Sequence, residues 1–179
     1  MFKIKIYNMR TKLLTILLLC MPFFVSAGNS GDNGYDDIDG FFGYCSSLRS
    51  PSVRYTYISK LMMKRMAALP VGDSDLKPIS EKIDFVQSVY VADASESARE
   101  CALKVDELPN KARENGFECV MSINKDGSCT NIYMKRGEGG LNSLLMTNVC
   151  YVNGEIEFAV AALIGGVFSY EEILSLMKF

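Results

Sequence analysis

Apolar positions recur along this chain with two spacings, and the spacing changes near residue 118. Before that point, strand-like and helix-like stretches alternate. Residues 53–58 (VRYTYI) are β-branched and aromatic and predict a strand. Ser59 follows as a candidate N-cap. Residues 60–68 predict a helix with Leu61, Met62, Met66 and Leu69 on one face. A methionine stripe of this kind is more often ordinary core than an adaptable binding surface, so burial is expected. Pro70-Val71-Gly72-Asp73 breaks that helix, and residues 78–83 can add one helical turn with Pro78 in its first position. Residues 85–91 (FVQSVYV) predict a second strand. Asp93-Ala94-Ser95-Glu96 is like a capping box and opens a long helix, which Asn115-Gly116 stops. Ala98, Cys101, Val105, Leu108 and Ala112 share its apolar face, with Cys101 a small buried hydrophobe. Pro109 is expected to kink or split that helix near Leu108.

From Glu118 onward the period is two. Asp126-Gly127 signals a type I′ hairpin in which Lys125 opposes Ser128. That register places Cys119, Met121 and Ile123 with Thr130, Ile132 and Met134. The other face then holds Val120, Ser122, Asn124, Cys129, Asn131 and Tyr133. Cys119 and Cys129 fall on opposite faces and are not expected to bond. Gly137-Glu138-Gly139-Gly140 joins strand to strand, as a hairpin loop rather than a phosphate cradle. Asn153-Gly154 signals a second hairpin, in which Leu145, Thr147, Val149 and Tyr151 share a face with Ile156, Phe158, Val160 and Ala162. Cys150 then sits opposite Glu157. Ser169 and Glu172 form a capping box, with Phe168 and Ile173 as its staple, for a closing helix. Ile38, Phe41, Phe42 and Tyr44 suggest a short helix packed on the domain. The expected fold is α+β: a mainly antiparallel sheet of about six strands with helices on one face, in the order β-α-β-α-β-β-β-β-α.

The first residues change the meaning of the composition. Lys3, Lys5, Arg10 and Lys12 precede an apolar run over 13–25, and Val25-Ser26-Ala27 ends it with small residues. This is the pattern of a secretory signal peptide over 1–27, cut between Ala27 and Gly28. Leu19 before Cys20 argues against lipid attachment. A polar leader over 28–40 and one domain over 41–179 follow. Its acids do not match the calcium-loop register. Loss of the four basic residues takes the formal charge from −2 to −6. Five cysteines stay: Cys45, Cys101, Cys119, Cys129 and Cys150. The expected location is the periplasm or outer surface.

The 179 residues include no histidine, which excludes the histidine-based triads and His-ligated metal sites. A chain with no basic excess does not suit nucleic acid. No C-x-x-C pair is present, so redox and zinc-knuckle sites are not expected. Three S-x-x-K matches occur, Ser74–Lys77, Ser122–Lys125 and Ser175–Lys178, without companion motifs. No catalytic residue, cofactor or metal is assigned.

Tyr57-Ile58-Ser59-Lys60, followed by Met62 and Met66, enters a helix directly from a strand. A long helix ending near Gly116, the Asp126-Gly127 hairpin, Ile132-Tyr133-Met134-Lys135 and the closing Phe168-Ser169-x-x-Glu172-Ile173 follow. In these residues the chain resembles a family of exported Bacteroidetes proteins, domain of unknown function 4252. The resemblance implies an envelope location and no established activity. The expected function is therefore non-enzymatic binding of an envelope protein or component. Tyr133, Leu144 and Met146, near Cys129, are the candidate exposed sheet face. A hydrolase using carboxylates or a Ser-Lys pair is one alternative. A structural homo-oligomer joined through an edge strand is the other.

Overall fold

The structure, a computed structural model, describes residues 37–67, 81–92, 96–138, 142–169 and 172. The signal segment with Ala27 and Gly28, the 70–73 break, the Pro78 turn, the Asp93 cap and the closing helix beyond Glu172 lie outside them. In chain order the elements are α1 (Ile38–Ser47), β1 (Val53–Ser59), α2 (Lys60–Ala67), β2 (Ile83–Ala92), α3 (Glu96–Glu114), β3 (Glu118–Lys125), β4 (Ser128–Arg136), β5 (Asn142–Val152) and β6 (Glu155–Gly166). The six strands form one antiparallel sheet in the order β1-β2-β6-β5-β4-β3. The α+β architecture is therefore as the sequence implies.

The ends of the helices follow from local chemistry. Asp37 caps α1: its side chain accepts a 2.7 Å hydrogen bond from the Gly40 amide. Ile38 is buried directly behind that cap, so the folded region takes in residues expected to be leader. At the end of α3 the Phe117 amide donates to the Ala112 carbonyl (2.9 Å) and the Gly116 amide to that of Arg113 (3.1 Å). Gly116 has φ 78°, and Phe117 is buried. These are the bonds, the left-handed residue and the apolar contact of a Schellman stop. The helix runs through Pro109 without a break, so no split occurs at Leu108. Ala98, Cys101, Val105, Leu108 and Ala112 are each buried, and α3 lies across β5 and β6 while α1 packs on α3, β1 and β2. This side of the sheet holds the main core, with Val89, Val91, Tyr133, Leu145, Val149, Ala159, Ala161 and Leu163.

Both predicted hairpin turns form. Asp126 and Gly127 have φ 51° and 76°, and Asn153 and Gly154 have φ 53° and 83°. Lys125 opposes Ser128 and Val152 opposes Glu155, as expected. Each hairpin then gains one residue. Cys119 pairs with Tyr133 and Met121 with Ile132, which leaves Val120 as an extra residue in β3. Tyr151 pairs with Ile156 and Cys150 with Phe158, which leaves Glu157 extra in β6. A bulge reverses the faces of everything beyond it. Two expectations are corrected in consequence. Leu145, Thr147 and Val149 share a face with Ala159, Ala161 and Leu163, not with Phe158, Val160 and Ala162, and Cys150 opposes Phe158 rather than Glu157. Cys119 comes to the same face as Tyr133, and so as Cys129. They remain unbonded for another reason: the partner of Cys119 is four residues along β4 from Cys129. At the rise of a strand that is roughly 13 Å, beyond disulfide reach.

A smaller cluster occupies the opposite face. Ile132, Met134, Leu144 and Phe168 are its buried members. Asn142 donates through Nδ2 to the Phe168 carbonyl. The capping box is present: the Glu172 amide donates to Ser169 Oγ (3.2 Å) and the Ser169 amide to Glu172 Oε2 (2.9 Å). Lys82 pairs with Glu172 and ties this segment to the start of β2.

Candidate interaction surface

The sheet face expected to be open does not exist as a patch. Tyr133 is 0% exposed, under the helices beside Leu145. Leu144 is buried and Met146 half-buried on the opposite face, where Leu144 pairs with Met134 and Met146 with Ile132. Tyr133 and Leu144 sit in adjacent rows of the ladder, so pleating sends them to opposite sides.

The methionine helix supplies the opposite correction. Leu61 is 61% exposed and Met62 38% exposed, at the start of α2. Tyr57, in edge strand β1, is 55% exposed. Leu61 and Met62, the members of the stripe whose side chains are described, are not buried, because α2 packs on β1 and β2 at their ends rather than within the main core.

Each residue of Tyr57-Ile58-Ser59-Lys60 has an identifiable task at this corner. Tyr57 stacks on Phe85, with ring centroids 6.5 Å apart and planes at 16°. Phe85 in turn lies against Gly165, where a side chain would meet the ring. Ile58 points to the other face and is buried. Ser59 Oγ accepts from the Met62 amide at 3.5 Å, a long N-cap that starts α2 without a loop. Lys60 Nζ donates to Asp84 Oδ1 at 2.5 Å. Asp84 is the extra residue of a third bulge, where Ile83 pairs with Gly166 and Phe85 with Gly165. The motif thus builds a strand-to-helix corner that holds three apolar side chains in solvent. Sequence reasoning missed it because helical spacing identifies an apolar face but not whether anything lies opposite it.

Other chemistry is sparse among the described residues. Ser122 and Lys125 are three apart on β3, an odd spacing that sends them to opposite faces, and Ser122 donates to Asn131 instead (2.8 Å). The other two S-x-x-K matches lie outside the described residues. A cavity of about 340 Å³ at the start of β3 is bordered by Gly116, Glu118, Val120, Met134 and Arg136. No group of three or more His, Cys, Asp or Glu suited to a metal occurs among the described residues. Burial raises the pKa of Tyr55 and Tyr133. Burial and then Glu100 push Tyr44 up to about 12. Burial and then a hydrogen bond to Asp106 raise Tyr151.

No curated protein and no solved structure matches the chain. A family model does match, over residues 45–176, beginning in the last turns of α1 and taking in the Tyr57 corner and all six strands. Over that span the chain belongs to the family described as domain of unknown function (DUF4252).

Proposed function

We propose that this protein is an exported, non-enzymatic domain of a bacterial envelope that binds another protein through the corner formed by β1 and α2. The observation that carries the reading is the exposure of Tyr57, Leu61 and Met62 together, within six residues of chain at a sheet edge. Other exposed large apolar residues, Leu103, Val152 and Val167, are single and scattered over three elements or connections. Grouped apolar exposure is the usual mark of a contact surface, and isolated exposure is not. The basic, apolar, small-residue order of residues 1–27 supports export.

The test is site-specific photocrosslinking in cells, with the crosslinker at position 61 and, as control, at position 103. A discrete protein adduct is expected from position 61 alone. Equal labelling from both positions would remove the reading. An adduct with a second copy of the chain would instead favour self-association through edge strand β1.

A further inference from the structure

Cys45 in α1 and Cys101 in α3 are 1% and 0% exposed, and their sulfurs stand 3.3 Å apart. They come from elements 56 residues apart in the chain, brought together by the packing of α1 on α3. A disulfide needs about 2.0 Å, so the sulfurs have to close by only ~1.3 Å. Cys119 and Cys129 lack this geometry, as the β3–β4 register shows. Cys150 and Cys129 are in adjacent rows of β5 and β4, because Cys129 opposes Val149, and so face opposite ways. Among the described cysteines, Cys45 and Cys101 alone are placed to bond.

We infer that Cys45 and Cys101 form a disulfide that locks α1 onto α3, and that the bond is made before the two helices close on one another. The first part follows from the sulfur positions. The second follows from access. Phe41, Phe42, Val105 and Leu108 are all 0% exposed in the same core, so no external thiol or disulfide reaches either sulfur in the folded state. The hydrogen bond shared with Cys101, and then burial, raise the Cys45 thiol pKa and further suppress its thiolate. The oxidant is a disulfide of the exchange type, carried by an oxidoreductase or by glutathione. One cysteine thiolate attacks it, giving a mixed disulfide and a released thiol. The second cysteine attacks the mixed disulfide, the Cys45–Cys101 bond forms, and the oxidant leaves as its second thiol. Two S–H bonds and the oxidant's S–S bond are lost. One S–S bond and two S–H bonds are gained. The inference does not depend on where on the surface a partner binds.

The test uses the full chain carrying Cys20→Ser, so that Cys45 is the single cysteine of its tryptic peptide, unfolded and reduced, then refolded in a glutathione redox buffer. After acid quench, thiol blocking and non-reducing tryptic digestion, the expected product is Glu100–Lys104 linked to the peptide that ends at Arg49. Recovery of Cys45 and Cys101 as blocked thiols, or of either one linked elsewhere, would overturn the inference. A second arm adds the same buffer to protein already folded and reduced. Exposed Cys119 is expected to be glutathionylated while Cys45 and Cys101 stay unreacted. Oxidation of the pair at the rate of Cys119 would overturn the proposed order of events. Closing a loop of this length shifts the unfolding equilibrium about a thousand-fold in the chain-entropy picture. Oxidised wild type is expected to show a shift of that order over reduced protein, and Cys101→Ala none. A redox dependence kept in Cys101→Ala would assign the effect to another pair.

Discussion

Replacing Tyr133 by phenylalanine tests whether the buried hydroxyl has any task. Tyr133 is fully buried, and its hydroxyl has no nitrogen or oxygen partner among the described residues; the Cys119 thiol on the paired strand is its one polar neighbour there, a weak sulfur contact. The ring is held independently of that oxygen: Leu145 lies beside it and the Arg113 guanidinium sits 5.7 Å from its centroid. A buried hydroxyl left without a partner costs about 1–3 kcal/mol. Deleting one oxygen from a packed core loses some contacts, a smaller opposing effect. The net expectation is that Tyr133→Phe stabilises the fold by about 1 kcal/mol. For a domain of this size that raises Tm by roughly 3 °C. Thermal and urea unfolding followed by circular dichroism measure it, with an unchanged urea slope showing that only stability has moved. A loss of stability of about 1 kcal/mol or more would refute the reasoning, because it would mean the hydroxyl is satisfied in solution. Thr147→Val is the companion case, since Thr147 Oγ1 is also buried without a partner among the described residues.

Further expectations concern titration, packing and the surface. The raised pKa values of Tyr44, Tyr55, Tyr133 and Tyr151 favour the protonated phenol in the folded state. The fold should therefore keep full stability up to about pH 10 and lose it as pH rises beyond, through about 12 for Tyr44; urea midpoints against pH would show the fall, and Tyr44→Phe should reduce it. The hydrogen bond from Lys82, and then that from the Ser169 amide, lower the Glu172 pKa. Its contribution is present above the ordinary glutamate range and is lost as pH falls through the lowered value, so exchange protection of the Ser169 amide should drop in acid and in Glu172→Gln. Leu108→Ala removes a fully buried side chain from α3 and should cost about 2–5 kcal/mol in chemical unfolding. Gly127→Ala should destabilise by about 2 kcal/mol, because φ is 76° and a Cβ would lie 2.6 Å from the Tyr151 carbonyl oxygen. Leu61→Glu should leave stability within about 0.5 kcal/mol of wild type; a larger loss would show that Leu61 is core.

Which parts of this fold were legible depends on how locally each was encoded. The two hairpin turns, the Gly116 stop and the Ser169–Glu172 box each rest on residues within a few positions, and each forms as read. The apolar face of α3 was legible because Ala98 to Ala112 keep a helical period on a long element. The register beyond each turn was not. Val120 and Glu157 are unremarkable residues in alternating segments, and nothing in their type marks them as unpaired. After the bulge in β6, both faces are apolar: Val160 and Ala162 are buried on one side, Ala159, Ala161 and Leu163 on the other. A strand covered on both sides gives alternation nothing to report. In β4 the misdirection came from neighbours: Ser122, Asn124 and Asn131 share the side of Tyr133, so that side reads as the open one although Tyr133 itself is core. The exposure of Leu61 and Met62 escaped for a related reason. Spacing defines a face, whereas burial depends on which distant element arrives opposite it.

The position of β6 sets the order in which this molecule can come into being. It is the last strand among the described residues, yet it stands between β2 and β5 in the middle of the sheet. Until residues 155–166 exist as free chain, β1 and β2 have no contact with the block of β3, β4 and β5 through the sheet. Without β6 the inner edges of β2 and β5 have no strand partner, and α3 loses one of the two strands it chiefly packs on. A growing chain therefore cannot complete its fold ahead of its own synthesis, and a truncation before residue 155 removes the seam rather than an end. The closing step pairs residues far apart in the chain, such as Val89 with Ala161, 72 positions on. Such long-range pairing makes folding slow for a chain of this length, and every contact across the seam waits on it.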